Sequence, residues 1–260
     1  IETRSGADLR KTGVHRYVED PAFQVLIIGY SIIREYHGGI RRESKATTLD
    51  LTDTARVRKF NSLLQDPTIE KHAYNAQFER ICLSRFVGLP PQTYLDPKNW
   101  HCSAIKANVN GVYGSLDSVA KTLGSPIKKD PVGKNLIRFF SVRDRKTGVF
   151  NEMSDHPKQA EQFESYCVRD VETEFMVAHL LEDTGEDVQR EYEEDQRISD
   201  TGILHNEALS TAAVAAVTAE KQKIETQLKA LTGLDNPNST KQLSEWIAGK
   251  GYPMASLNKE

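Results

Sequence analysis

A short apolar segment at residues 23–30 constrains the fold of this chain more than any other feature. It reads FQVLIIGY, it follows a proline closely, and it is rich in β-branched and aromatic residues. Such a composition is typical of a buried β-strand, and the segment is far too short to cross a membrane as a helix. We therefore predict a core strand here, paired as a hairpin with a strand at residues 1–3, and we expect no membrane partner.

The remaining pattern places strands first and helices later. Further strands are predicted at residues 33–36, resuming after a turn at Gly38 and Gly39, and at residues 71–74. Asp53 is a candidate cap for a helix that runs to about residue 64. Additional helices are expected at about residues 76–86, 103–107, 116–123, 134–140, from 158 onward, 206–231 and 239–246. This order predicts an α/β fold in which helices flank a mixed sheet.

The charge of the chain indicates no general affinity for nucleic acid. Its formal net charge is −3 and its pI is near 6.2, so any contact with DNA would depend on local basic patches or on metal ions. The three cysteines form no Cys-x-x-Cys pair and the seven histidines form no closely spaced pair. We therefore assign no disulfide framework and no histidine metal site, and we expect a reducing, cytoplasmic location.

An acidic stretch indicates where one domain ends. Residues 182–195 contain eight carboxylates and a single arginine, which is typical of a solvated boundary. We predict one domain at residues 1–185 and a smaller, mostly helical region at residues 186–260. The long helix of this second region is expected to end at Gly233 and to have an apolar face formed by Leu209, Ala213, Ala216, Ile224, Leu228 and Leu231.

Three short acidic segments carry the candidate chemistry. Glu2 belongs to the first strand, Glu79 ends the segment NAQFE at residues 75–79, and Asp170 follows Tyr166 by one helical turn. Carboxylates that converge on one cleft bind hard cations such as Mg²⁺ or Mn²⁺. Tyr166 and Asp170 can face the same cleft, because residues four apart share one side of a helix.

Each segment also has a purely structural interpretation. A glutamate near the start of a chain is usually exposed to solvent, and many helices carry an exposed acid beside a half-buried tyrosine. Asn75 is well placed to cap the helix that starts at residue 76. A capping box would need its acid at position 78, where the chain has Phe78, so capping does not explain Glu79.

Taken in this order, the three segments resemble the motifs of the proofreading exonucleases in family A DNA polymerases of bacteria and phages, the DEDD class with a tyrosine in its third motif. Residues 115–119, 128–130 and 133–134 are similar to the middle of that domain. The resemblance covers about residues 1–182. Residues 236–243 are more weakly similar to the entry into the polymerase domain. Because the polymerase motifs of the family do not follow, we interpret the chain as an N-terminal fragment of a longer enzyme.

The resemblance implies an RNase H-like sheet and an enzyme that removes nucleotides one at a time from a 3′ DNA end, releasing nucleoside monophosphates. It implies two divalent ions, Mg²⁺ or Mn²⁺, with Glu2 and Asp170 at the ion beside the attacking water and Glu79 at the second ion. Tyr166 would orient the water. The family usually has aspartate where Glu79 stands, and it has a further aspartate directly before the position of Ile1, without which we expect impaired activity.

The resemblance also implies the partners, which are a single-stranded or frayed 3′ end of DNA and the remainder of a polymerase chain in a bacterial or phage-infected cell. Candidate DNA contacts are Thr3, Asn75, Phe78, Lys128, Lys129 and Lys134. The lysines are equally compatible with a solvated basic face. Two other functions stay open: a stand-alone DEDD exoribonuclease would share the three motifs, and a non-catalytic module would only grip single-stranded DNA.

Overall fold

The computed structural model describes residues 1–36, 39–42, 44–127, 132–144, 146–252 and 257. Lys128 and Lys129, both predicted to contact DNA, lie outside the described residues, as does Gly38 of the predicted turn. The chain divides into two units, Ile1–Gly202 and Ile203–Glu260. None of the helices within the described ranges combines the length and apolarity that a membrane crossing needs.

All the described strands belong to the first unit, where they form pairs. They are β1 (Glu2–Arg4), β2 (Gln24–Ile27), β3 (Gly29–Tyr30), β4 (Ile33–Tyr36), β5 (Gly39–Arg42), β6 (Thr47–Thr48), β7 (Lys71–Ala73) and β8 (Trp100–Cys102). The pairs β1–β2, β3–β6 and β4–β5 are antiparallel, whereas β7 and β8 are parallel. The structure therefore confirms a mixed α/β class, while the RNase H-like sheet order stays a prediction.

Both units contain helices. The first unit contains α1 (Leu9–Val18), α2 (Thr54–Gln65), α3 (Ala76–Phe86), α4 (Ser103–Val109), α5 (Leu116–Thr122), α6 (Gly133–Ser141), α7 (Pro157–Leu180) and α8 (Gly185–Thr201). The second contains α9 (Glu207–Thr232) and α10 (Thr240–Gly249). Asp53, Asn206 and Ser239 each accept a hydrogen bond from a main-chain N–H in the first turn of α2, α9 and α10, as capping residues do.

The predicted pairing of β1 with β2 is present, but the two strands do not form a hairpin. The two strands are antiparallel neighbours, but α1 lies between them in sequence and was not predicted. The helical pattern of α1 is interrupted at Gly13, which has φ 72°. The long strand expected at 23–30 is divided into β2, which pairs with β1, and β3, which pairs with β6. Helix α7 packs closely against β3, where a Cβ built on Gly29 would lie 2.9 Å from Cys167 Sγ.

Helix α7 is the central element of the first unit. It buries Phe163, Tyr166 and Cys167 against Leu136 and Phe140 of α6. The predicted inward face of α7 is confirmed at Phe163 and Cys167, whereas Val171 and Phe175 are only half-buried. Because Tyr166 is itself part of this buried cluster, the packing of α7 on α6 fixes the position of Tyr166.

The acidic stretch after α7 is solvated, as its composition predicts, since seven of its eight carboxylate residues are exposed. Most of it lies in α8, where Tyr192 and Gln196 are buried. Asp200 of α8 accepts two hydrogen bonds from Arg80 of α3, at 2.7 and 2.8 Å, and the Arg80 side chain is fully buried. The first unit therefore continues to Gly202, and the functional division into residues 1–185 and 186–260 stays a prediction.

In the second unit, α9 has the predicted helical repeat but no buried residue among those described. Leu209, Ile224 and Leu231 of its apolar face are exposed. The helix ends as expected at Gly233, which has φ 70° and whose N–H donates to Lys229 O. A left-handed residue at this position is readily supplied by glycine, since it has no Cβ.

Candidate active site

The first unit contains a cleft of about 1450 Å³ that is lined by carboxylates from three elements. Glu2 comes from β1, Glu79 from α3 and Asp170 from α7. Glu174, one turn after Asp170 on α7, also lines the cleft. Residues far apart in sequence thus contribute to one concave, acidic surface, and three of them are the carboxylates singled out from the sequence.

Glu79 lies close to the first residue of the chain and is largely buried. Its Oε1 is 3.8 Å from the main-chain nitrogen of Ile1, here an α-amino group, and its side chain is 19% exposed. Its Oε2 is buried and has no hydrogen-bond partner among the described residues. Burial raises the pKa of Glu79 from 4.5 to about 7; the Ile1 amino group opposes the shift, and the charges of Glu174 and Asp170 add to it.

A buried carboxylate oxygen with no donor is costly unless a cation or a proton compensates it. Because burial raises the pKa of Glu79, a proton can supply this compensation. A divalent cation would be the other source of compensation. All the donors that Glu2, Glu79 and Asp170 offer are carboxylate oxygens, the set that Mg²⁺ and Mn²⁺ prefer.

Tyr166 is buried beside these carboxylates, with 2% of its surface exposed. Its hydroxyl group donates a hydrogen bond to the Asp170 carboxylate. The pKa of Tyr166 is raised well above its usual value by burial first, and then by the negative charges of Asp170 and Glu2. Tyr166 is therefore a neutral hydrogen-bond donor at any physiological pH, not a base.

Glu2 and Thr3 have different surroundings although they are adjacent in β1. Glu2 lines the cleft, whereas Thr3 is buried with its hydroxyl group 3.0 Å from that of Tyr17. This difference follows from the alternation of side chains along a strand, although the register with β2 shifts between the two residues. The Thr3 hydroxyl is already bonded inside the protein, and contact of Thr3 with DNA stays a prediction.

The other predicted DNA contacts lie on α3 and α6. Asn75 precedes α3 in a left-handed conformation with φ 69°, and its side chain makes no capping bond, so the capping interpretation is wrong. Phe78 is half-buried and packs against the Tyr17 ring at 6.2 Å. Lys134 is exposed in the first turn of α6. Contact of these three residues with DNA stays a prediction.

Glu174 is a site residue that the sequence analysis missed. Its carboxylate accepts a short hydrogen bond from the Ser103 hydroxyl at the start of α4. Burial raises the pKa of Glu174, and the Ser103 hydrogen bond partly offsets that effect. The signal was present in the sequence, since Glu174 repeats the four-residue spacing that joins Tyr166 to Asp170.

Two histidines that the sequence analysis left without a role are also brought together in this cleft. His72 of β7 and His101 of β8 stack with ring centroids 4.6 Å apart and an interplanar angle of 12°. The Nε2 atoms of His72 and His101 lie 3.3 and 3.8 Å from the same oxygen of Glu70, Oε2. The earlier conclusion rested on short sequence spacings, which cannot detect a pair formed by two strands.

Similarity to known proteins supports a link to DNA polymerases. A DNA polymerase of Bacillus phage SP02 is 35% identical to this chain over an alignment of 269 positions, which includes the whole of this chain and 39% of that polymerase. The chain thus spans well under half of the length of the relative that it matches. No protein-family model matches the chain, and no solved structure matches it.

Proposed function

We propose that residues 1–185 form a 3′–5′ exonuclease of the proofreading type that belongs to a DNA polymerase. The enzyme would hydrolyse the terminal phosphodiester of a 3′ DNA end and release nucleoside monophosphates. One observation carries the proposal: Glu2, Glu79 and Asp170 line the same cleft, and Glu79 has a buried oxygen without a donor. The similarity of the whole chain to part of a phage DNA polymerase supports the same function.

Glu2, Glu79 and Asp170 are the residues that would hold two divalent ions, Mg²⁺ or Mn²⁺. When bound, such ions generate a nucleophile from water at neutral pH and stabilise the charge that develops on the phosphate. Glu174 is held by Ser103 and lies behind Asp170 on α7. Its negative charge near Glu79 would increase the attraction of the cleft for cations.

The other predicted site residues would have positioning roles. Tyr166 holds the Asp170 carboxylate through a hydrogen bond and stays protonated, so it can orient a water molecule but cannot remove its proton. Asn75 and Lys134 offer exposed polar groups on α3 and α6 that could hold the 3′ terminal nucleotides. Phe78 offers part of an aromatic ring for stacking against a base.

The position of Ile1 indicates where a fourth carboxylate could be added to Glu2, Glu79 and Asp170, which together we call the carboxylate cluster. Because the Ile1 main-chain nitrogen lies 3.8 Å from Glu79 Oε1, a residue joined to that nitrogen would begin beside the carboxylate cluster. In a protein with aspartate before Ile1, this side chain would add a fourth ligand. Activity is therefore expected to rise when aspartate is placed there, and not when alanine is placed there.

The test compares the chain preceded by Asp with the chain preceded by Ala, using DNA and RNA oligonucleotides labelled at the 5′ end. We expect Mg²⁺- or Mn²⁺-dependent shortening of DNA from its 3′ end by the Asp form, abolished by excess chelator. Shortening of RNA alone would identify an exoribonuclease. Binding of single-stranded DNA with no shortening by either form would identify a non-catalytic module.

A further inference from the structure

We propose that Glu70, His72 and His101 form a binding site for one divalent transition-metal ion, separate from the carboxylate cluster in ligand chemistry and in the residues used. The site goes beyond the exonuclease proposal and does not depend on it. It would accept ions such as Zn²⁺ or Co²⁺, which imidazole nitrogens favour, in preference to Mg²⁺.

The geometry of the three side chains carries this inference. One ligand atom from each of them can be chosen so that all three lie within 4.8 Å of one another. The Nε2 atoms of His72 and His101 lie 3.3 and 3.8 Å from Glu70 Oε2. Ligands on one tetrahedral Zn²⁺ ion with metal–nitrogen bonds of 2.0–2.1 Å lie about 3.3 Å apart. An ion between the three groups would require the two imidazole rings to rotate out of their stacked arrangement, so that each Nε2 lone pair, which lies in its ring plane, is directed at the ion.

The backbone sets these positions before any ion binds. His72 and His101 are direct partners in the parallel register of β7 and β8, so their side chains lie on the same face of the pair. Glu70 lies two residues before His72, directly before the first residue of β7, and so shares this face. A hydrogen bond of 2.8 Å from Lys71 N to Asn99 O fixes the start of the ladder.

The chemistry of the ligand set differs from that of the carboxylate cluster. Two imidazole nitrogens and one carboxylate oxygen match the three-ligand zinc sites that leave a coordination position open to water or to a ligand. The site is accessible to an ion, because the side chains of Glu70, His72 and His101 are 57%, 45% and 30% exposed. The open position would face the cleft that all three residues line.

An ion at this position would connect two strands that support the candidate active site. Strand β7 is followed by Asn75 and by α3, which carries Glu79, and β8 runs directly into α4, whose first residue Ser103 holds Glu174. Binding would therefore be expected to stabilise the folded first unit as well as to add a ligand-binding position.

The experiment measures Co²⁺ binding by its visible absorption, followed by displacement with Zn²⁺. The parent protein is the full chain with Glu79→Gln and Asp170→Asn, which weakens binding at the carboxylate cluster. We expect one Co²⁺ ion to bind per chain and to be displaced by Zn²⁺ far more readily than by Mg²⁺. The affinity for Co²⁺ should fall by about 10-fold or more in each of three variants, His72→Ala, His101→Ala and Glu70→Gln. His205→Ala, at an exposed histidine of the second unit, serves as the control and should not change binding.

Two results would overturn the proposal. One is Co²⁺ binding that survives all three substitutions; the other is a parent protein that binds no Co²⁺ at micromolar concentrations. Circular dichroism and thermal unfolding without metal establish that each variant is folded, and His72→Gln and His101→Gln replace any alanine variant that is not. Nuclease activity is not a readout here, so the outcome is independent of the exonuclease proposal.

Discussion

The backbone of Gly133 lies directly against the ring of Tyr166. A Cβ built on Gly133 would lie 2.0 Å from Tyr166 Cε2 and 2.4 Å from Cδ2 and Cζ, distances at which no side chain can exist. Gly133 is the first residue of α6, and Tyr166 is in the middle of α7. The close approach of the two helices therefore fixes the ring whose hydroxyl group bonds Asp170.

Replacing Gly133 with alanine should displace this ring. We expect Gly133→Ala to lower the free energy of unfolding by about 1–3 kcal/mol, because the added methyl group overpacks a buried contact. Urea unfolding measures the effect. Gly249→Ala is the matched control, because Gly249 is helical and a Cβ there would meet no atom within 4 Å. Equal stability of the two variants would contradict the contact.

Glu79 should make the stability of the protein depend on pH. Its pKa in the folded protein is raised from 4.5 to about 7, chiefly by burial, so the folded state binds more protons than the unfolded state between these values. The stabilisation from the neutral carboxyl group is complete below pH 4.5 and is lost as the pH rises through about 7.

Glu79→Gln should remove this dependence, because glutamine resembles the neutral carboxyl group at every pH. In the presence of a chelator, we expect the variant to exceed the parent protein in stability at pH 8 by on the order of 2–3 kcal/mol. The difference should shrink towards pH 5. Urea unfolding at both pH values measures it, and Glu164→Gln at an exposed position of α7 is the control. A difference that grows as the pH falls would show that Glu79 is not a buried group of raised pKa.

The sequence predicts those features that depend on neighbouring residues. The caps at Asp53, Asn206 and Ser239 are of this kind, because a short side chain bonds a main-chain group two or three residues away. The C-terminal end of α9 at Gly233 is another. Asn75 was the exception, since its left-handed backbone leaves the side chain without a capping bond.

Several features that depend on distant residues were missed. Composition marks residues 182–195 as solvated, but it cannot show that buried Arg80 of α3 finds its charged partner in Asp200, farther along α8. The His72–His101 stack arises from the pairing of β7 with β8, which no spacing along the chain reveals. The contact between Gly133 and Tyr166 is equally invisible until α6 is packed on α7.

Asp170 and Tyr166 should contribute differently to nuclease activity if the proposed function holds. In the chain preceded by Asp, Asp170→Ala removes a proposed metal ligand, whereas Tyr166→Phe removes one hydrogen bond. We expect the Asp170 variant to lose more activity than the Tyr166 variant, by about 10-fold or more. Initial rates on a labelled oligonucleotide measure this, with Glu164→Gln as the control on the same helix. Small, equal losses would place the active site elsewhere.

Loss of one member of the ion pair between Arg80 and Asp200 should strongly destabilise the first unit. Arg80 is fully buried and donates to both oxygens of Asp200, to Gln196 Oε1 and to Leu95 O. Although burial opposes it, hydrogen bonds from His15 and Arg80 hold the pKa of Asp200 below its usual value. The pair therefore stays charged at neutral pH.

Removing one member of this pair leaves the other charge buried without compensation. We expect Asp200→Asn to lower the free energy of unfolding by about 3–5 kcal/mol at pH 7, measured by urea unfolding. Asp187→Asn is the matched control, because Asp187 pairs with Arg190 on the exposed surface of the same helix and such pairs contribute about 1 kcal/mol or less. Since α3 carries both Arg80 and Glu79, the Asp200 variant should also weaken binding of Mn²⁺ at the carboxylate cluster. An Asp200 variant with unchanged stability and unchanged metal affinity would show that α8 does not position α3.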